Sequence, residues 1–489
     1  MGEKERKIIT IEPVTRLEGE AKINIILDEE GNVKDAYFQV MDYRAFEVLS
    51  VGRQAEEMPR IANRICGVCS WAHHMAAVKA LDQLFGRDPP PTAKKLRELS
   101  YCAHTIHSHI IHFFLFASPD LFLSPDAEPS VRNFIGLLQR HPELTKRALK
   151  WHTESERVQE IIGGKAVHPP FAIPGGVSKP LTEEERVKVI EKAKGLLDFS
   201  LDSLSFFKKN IVENEKYRDL FFSDLYRLET YYMGLVDPNN QINFYDGKIR
   251  VIDPEGHETF KFDCSDYLDY IAERVEPWTY TKFPYLKKIG WKGLVDGKGS
   301  GVYRVNSLPR LNVSKGMPTP KAQEAYEDFM DTLGRPAHAT LAFHWARLIE
   351  MIYCSERMLE LLEDPEITSK DVMNYTGDYK GEGMGVVEAP RGTLIHHYEA
   401  DENGIITNSN LIVPTTMNNA AICMEIRNSA RKLIRGGNVP EGVLNRVEMA
   451  FRAYDPCLSC STHALPGEMP LEVVIMSEDG RVLRRLRRG

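Results

Sequence analysis

No apolar run in this 489-residue sequence approaches the length of a membrane span. The longest, Ile110–Ala117, has His112 inside it, whereas a spanning helix needs about 20 apolar residues. The first residues, MGEKERKIITIEP, are charged and lack the apolar core of a secretory signal, so a cytoplasmic protein is expected. Positive charge is not in excess: 62 basic against 70 acidic residues give a net charge of −8, which argues against nucleic acid as a partner. Eight cysteines are too few for a disulfide framework in a chain of this size. Internal repeats, low-complexity tracts and a clear linker are also missing. Length alone suggests about three domains; without a linker, one large unit is the better expectation.

The patterning that is present is mostly helical. Leu96, Leu99, Ala103, Ile106, Ile110, Phe113 and Phe114 recur at helical spacing, predicting a helix over Thr92–Ala117. Thr182–Val212, Ala337–Leu362 and Met417–Arg435 read the same way. Two patches read as strands. Ile23, Ile25 and Leu27 alternate with polar neighbours before a turn into Val33–Val40, and a second patch runs from Ile242 to Phe262. The expected class is α+β, predominantly helical, with a large helical core and small β appendages.

Four of the eight cysteines form two CxxC pairs, Cys66/Cys69 and Cys457/Cys460; Cys102, Cys264, Cys354 and Cys423 stand alone. A CxxC pair on a tight turn points both sulfurs one way, so two facing pairs offer four thiolates to one metal centre. Asp455-Pro456 could cap and start a helix, placing Cys457 at its positive end, and Arg64 is a cation beside Cys66; both settings favour a thiolate. Zinc modules gather such ligands within a few dozen residues, but 457 − 66 = 391 positions separate these pairs. Spacing alone leaves zinc, an iron–sulfur cluster and a dithiol redox pair open.

The flanking residues narrow this. RICGVCSWAH (Arg64–His73) and DPCLSCSTH (Asp455–His463) resemble the N- and C-terminal signatures of nickel–iron hydrogenase large subunits. EPVTRLEGEAKI (Glu12–Ile23), EAPRGTLIHHY (Glu388–Tyr398) and VPTTMNN (Val413–Asn419) extend the resemblance in the family's order. It is nearest to the cytoplasmic, methyl-viologen-reducing type that serves heterodisulfide reductase, with relatives that reduce deazaflavin or nicotinamide cofactors the near alternatives.

The resemblance implies a centre in which Cys66 and Cys457 are terminal nickel ligands and Cys69 and Cys460 bridge nickel to an iron carrying carbon monoxide and cyanide. It makes the Cys457 sulfur the first proton acceptor in hydrogen heterolysis, with Glu18 next. Arg391, after Pro390, would lie over the open metal face, pinned by Asp120 and Asp455. Thr415 would donate to a cyanide and His73 would approach a bridging sulfur. Glu47, the Leu411 carbonyl and His463 would hold a magnesium ion, or an iron, near the C-terminus. His104, His107, His109 and His112 read as buried structural histidines.

The same resemblance implies partners: an iron–sulfur small subunit, further electron-transfer subunits with heterodisulfide reductase, and a maturation protease. Residues 1–463 would be the catalytic domain and 464–489 an extension removed after His463. The competing reading is a non-catalytic zinc or iron–sulfur scaffold related to one subunit of respiratory complex I, although that relative lacks the nickel cysteines. Two positions depart from the family pattern: Glu20 replaces a frequent histidine, and Ala45 stands where glycine is common.

Overall fold

The computed structural model describes residues 7–439, 442–462, 471–477 and 482–488. Four long helices pack pairwise around a common core: α3 (Pro91–Ile110), α4 (Pro142–Gly163), α5 (Glu183–Phe207) and α7 (Ala342–Glu363). The predicted helix over 92–117 is α3 extended through a π-helical stretch, Ile111–Ala117. α5 begins where its sequence says it should. Thr182 Oγ1 accepts from the Glu185 N–H, and Glu185 Oε2 accepts from the Thr182 N–H, a reciprocal cap that stabilises the helix start by about 1 kcal/mol. None of the described helices is long and apolar enough to cross a membrane.

The N-terminal strands β1 (Ile8–Ile11), β2 (Ala21–Leu27) and β3 (Val33–Val40) form an antiparallel sheet. Ala21, Ile23, Ile25 and Leu27 of β2 point inward, as their alternation requires. The second predicted patch contains β5 (Lys248–Ile252) and β6 (Glu258–Phe262). It is completed by two strands the pattern did not predict, β4 (Tyr231–Val236) and β7 (Tyr303–Arg304).

A third sheet carries more of the site: β8 (Glu382–Ala389), β9 (Gly392–Ala400) and β10 (Ile406–Ile412), antiparallel in that order. It is buried against α2 (Ser70–Leu84) rather than peripheral. The contact depends on two glycines. A Cβ on Gly383 would lie 2.0 Å from the Ala80 carbonyl oxygen, and one on Gly385 2.2 Å from that of Ala76, so only glycine lets the helix backbone sit this close. The packing fixes the start of α2 against the β8–β9 turn. Helices α8 (Pro414–Leu433) and α9 (Val443–Arg452) pack together and lead the chain back to the same place.

Candidate metal centre

Cys69 is the residue just before α2, and Cys66 lies in the preceding loop. Cys457 and Cys460 follow α9 in an irregular segment that forms a single parallel bridge with Glu18. The four sulfurs converge. Cys66 is 3.3 Å from Cys457, Cys69 is 3.1 Å from Cys460, and Cys457 is 2.8 Å from Cys460. All four are free thiols and buried. Hydrogen bonds from the other three cysteines hold the Cys66 thiol well below its ordinary pKa, and the Arg391 cation adds to this. The N–H groups of Val68 and Cys69 also point at its sulfur, at 3.3 and 3.5 Å.

Arg391 sits in the turn between β8 and β9. Its Nε donates to the Asp455 carbonyl at 2.8 Å and its Nη2 to Asp455 Oδ1 at 3.1 Å. Burial disfavours the guanidinium's charge, but the Asp455 carboxylate and the nearby sulfurs outweigh this and raise its pKa. Arg391 Nη1 and Asp455 Oδ2 are buried without a hydrogen-bond partner among the described residues. Such orphaned groups are costly. Beside them is a small cavity whose lining includes Cys69, His73, Arg391, Thr415, Cys457 and Cys460. Four convergent soft donors, a buried guanidinium with one unpartnered N–H and an adjoining cavity fit a thiolate-bound transition-metal centre with further small ligands.

Glu18 reaches the sulfurs from the other side. The Cys457 thiol donates to Glu18 Oε2 at 3.0 Å, and Ser459 donates to the same carboxylate through its N–H at 3.1 Å and its hydroxyl at 2.5 Å. Gly19 makes the approach possible. It has φ +89°, and a Cβ there would lie 2.7 Å from Leu458 Cβ and 3.1 Å from the Ser459 nitrogen.

Residues 44–123 and 296–463 match the family described as Nickel-dependent hydrogenase, and residues 8–43 match one described as HoxL-like. The chain is 46% identical to an iron-sulfur subunit of F420-non-reducing hydrogenase from Archaeoglobus profundus, over 98% of this chain and 99% of that one. It is 40% identical to NAD-reducing hydrogenase HoxS subunit beta of Cupriavidus necator, again over 98% and 99%. The chain belongs to the nickel–iron hydrogenase large subunits. A crystal structure of NAD+-reducing NiFe hydrogenase in the H2-reduced state superposes with TM-score 0.88 and 37% identity, covering 94% of this chain and 99% of that one. The Ni-Fe-Se hydrogenase of D. vulgaris Hildenborough shares the fold at TM-score 0.74 and 23% identity, covering 94% and 100%.

Most of the residues expected in this hydrogenase centre do come together. The Thr415 hydroxyl accepts from the Cys457 N–H at 3.0 Å, which leaves its own proton free to be donated. Pro390 backs the turn rather than lining the cavity; its carbonyl accepts from Arg310 Nη2 at 3.1 Å. His73 Nε2 lies 3.4 Å from the Cys460 sulfur. Its Nδ1 is 3.1 Å from His396 Nε2, whose Nδ1 is 2.8 Å from the Tyr398 hydroxyl. One proton arrangement satisfies this row: Tyr398 donates to His396, His396 to His73, and His73 to sulfur. Burial keeps His73 neutral by lowering its pKa to about 4.

Glu47, on α1 (Phe46–Ser50), accepts from the Leu411 N–H at 2.8 Å, with the Lys282 ammonium 3.8 Å from its other oxygen. Burial pushes its carboxyl up to about 7. His463 lies outside the described residues. The Thr462 carbonyl before it accepts from the N–H groups of Arg44 and Ala45, at 3.1 and 3.0 Å, beside α1.

Four expectations require correction. Asp120 does not touch Arg391: it accepts from Arg16 at 2.6 Å and from Arg452, tying the N-terminal segment to α9. Asp455 caps no helix; it adopts φ 54° and turns its carboxylate to Arg391. No helix starts at Cys457, so no helix end acts on it, and burial raises its thiol pKa. Likewise the cation acting on Cys66 is Arg391, while Arg64 is exposed.

In the histidine row, His109 bonds to Glu350 Oε2 at 2.8 Å and His112 to the Arg452 carbonyl at 2.8 Å, both structural as expected. Sequence reasoning missed Arg310 on α6 (Ser307–Val313). It is fully buried and donates to the carbonyls of Ala389 and Pro390 and to Glu388 and Glu350, so it holds the backbone on which Arg391 stands. His396 and Tyr398 were inside a quoted motif, but nothing in their spacing revealed the row they form.

Proposed function

We propose that Cys66, Cys69, Cys457 and Cys460 of this large subunit would hold a nickel–iron centre. The iron would carry carbon monoxide and cyanide. When bound, this centre supplies the Lewis acidity and electron-rich sulfur needed to split hydrogen heterolytically, in either direction. The observation that carries the reading is the convergence of four buried sulfurs beside the unpartnered Nη1 of Arg391. That N–H would donate to one cyanide, and the free hydroxyl proton of Thr415 to the other.

The chain's own residues then move the proton. The sulfur of Cys457 receives it, and Glu18 Oε2, already hydrogen-bonded to that sulfur, carries it toward the exposed surface around Gly19 and Glu20. Ser459 keeps the carboxylate aimed at the sulfur. His73, neutral and oriented by His396, holds Cys460 without competing for the proton.

Electrons would leave through an iron–sulfur small subunit. Identity of 40–46% to several subunits named F420-non-reducing hydrogenase supports an acceptor other than deazaflavin. The acceptor would be an electron-transfer chain serving heterodisulfide reductase, with nicotinamide, at 40% identity to an NAD-reducing subunit, the near alternative. Glu47 and the Leu411 carbonyl, with His463, would hold magnesium or iron. Residues 464–489 would be cut away by a maturation protease, leaving a catalytic domain of 1–463.

Metal analysis tests the reading. Purified enzyme should contain nickel and iron in about equal amounts beyond the small subunit's clusters, and Cys66→Ser or Cys460→Ser should lose nickel and hydrogen uptake together. Stoichiometric zinc without nickel would favour the scaffold reading instead.

A further inference from the structure

His107 on α3 and His152 and Glu156 on α4 lie well apart in sequence but face one another across the helix pair. His152 and Glu156 are four residues apart and so share one face of α4. His107 Nε2 is 3.4 Å from Glu156 Oε1, and His152 Nδ1 is 3.9 Å from Glu156 Oε2. One ligand atom from each residue lies within 4.8 Å of the others. His107 is only 6% exposed; its Nδ1 is buried without a partner, and its Nε2 has only the long contact to Glu156.

A buried imidazole whose Nδ1 has no partner and whose Nε2 has only the long contact to Glu156 is costly to keep out of water. A cation between the three residues would remove that cost. With bonds of about 2.0–2.1 Å, a tetrahedral metal sets its ligand atoms about 3.3 Å apart, close to the 3.4 and 3.9 Å that separate Glu156 from the two histidines. The side chains of His152 and Glu156 remain 23% and 31% exposed, so an ion can enter from solvent and keep water in its fourth position.

From this geometry we infer that His107, His152 and Glu156 form a second metal site, a two-histidine, one-carboxylate site for a divalent transition metal of the zinc class. It shares no ligand with the four cysteines. The site clamps α4 onto α3, the helix that also carries His104 and His109. Nitrogen and oxygen donors select against calcium and magnesium, and three protein ligands leave the open position of an exchangeable site rather than a closed structural one.

The test uses the complete enzyme with its nickel and iron in place, cleared of loose metal with EDTA and titrated with zinc sulfate. About one zinc per large subunit should bind, with zinc X-ray absorption showing only nitrogen and oxygen neighbours at about 2.0–2.1 Å. Zinc should also raise the unfolding temperature. His152→Ala and Glu156→Gln, both partly exposed, should keep hydrogen uptake, weaken zinc binding at least about tenfold and abolish the thermal shift. A sulfur in the zinc shell, unchanged affinity in both variants, or no bound zinc in the wild type would overturn the assignment.

Discussion

Glu18 and Cys457 meet across one parallel bridge: the Glu18 N–H faces the Pro456 carbonyl, the Leu458 N–H donates to the Glu18 carbonyl at 3.0 Å, and the Cys457 thiol donates to the Glu18 carboxylate at 3.0 Å. The backbone pairing therefore sets the side-chain distance. Glu18→Gln keeps this pairing and removes the titratable group, so hydrogen–deuterium exchange with solvent should collapse while nickel and iron content is kept. Exchange near the wild-type rate would require a different exit for the proton.

Arg391 uses the full planar shape of its guanidinium, with Nε and Nη2 on Asp455 and Nη1 left toward the cavity. Lysine keeps the charge but cannot make all three. Arg391→Lys should slow hydrogen turnover at least about tenfold, or roughly 1.4 kcal/mol of barrier. An unchanged steady-state rate at full metal content would reduce Arg391 to packing.

Asp120 is a stability element. It is buried between Arg16 and Arg452, whose charges hold its carboxyl below its ordinary value despite burial. Asp120→Asn should cost about 3 kcal/mol by leaving two arginines short of a counter-charge. Because the folded pKa is depressed, the contribution is complete above the unfolded value of about 3.9 and is lost as pH falls through the folded value. Denaturant midpoints of wild type and variant, measured from pH 7 downward, should converge only in that acid range.

Ala45 precedes α1 with φ 51°, in the left-handed region, where a Cβ costs about 1–2 kcal/mol. A glycine at this position would be free of that strain. Ala45→Gly should raise stability by about 0.5–1 kcal/mol after the entropy of glycine is subtracted, read as a shift in urea midpoint at constant slope.

The intact mass of active, nickel-loaded large subunit should end at His463, short of the full chain by 489 − 463 = 26 residues. Active enzyme that still carried residues 464–489 would refute the maturation reading.

The helices were legible because their cores are local. Thr182 with Glu185 marks the start of α5, and the spacing of Leu96, Leu99, Ala103 and Ile106 marks α3. The four cysteines were legible as a set only through their flanking motifs, since CxxC spacing does not separate zinc from nickel. What failed was reading a local signal where tertiary contacts decide. Asp455-Pro456 has the form of a helix start, but the pull of Arg391 holds Asp455 in a left-handed turn and no helix follows. Arg310 was silent for the complementary reason: a single arginine in a short segment carries no pattern, and its partners lie on β8, on α7 and in the turn after β8.

The 391 positions between Cys66 and Cys457 also have a consequence in time. At about 5–20 residues per second, Cys66 and Cys69 wait roughly 20–80 seconds during synthesis before their partners exist. Throughout that interval the nascent chain presents an isolated dithiol, open to oxidants and to adventitious zinc. An organism making this protein must therefore shield the first pair, or keep its surroundings reducing and metal-poor, until the last few dozen residues have been made.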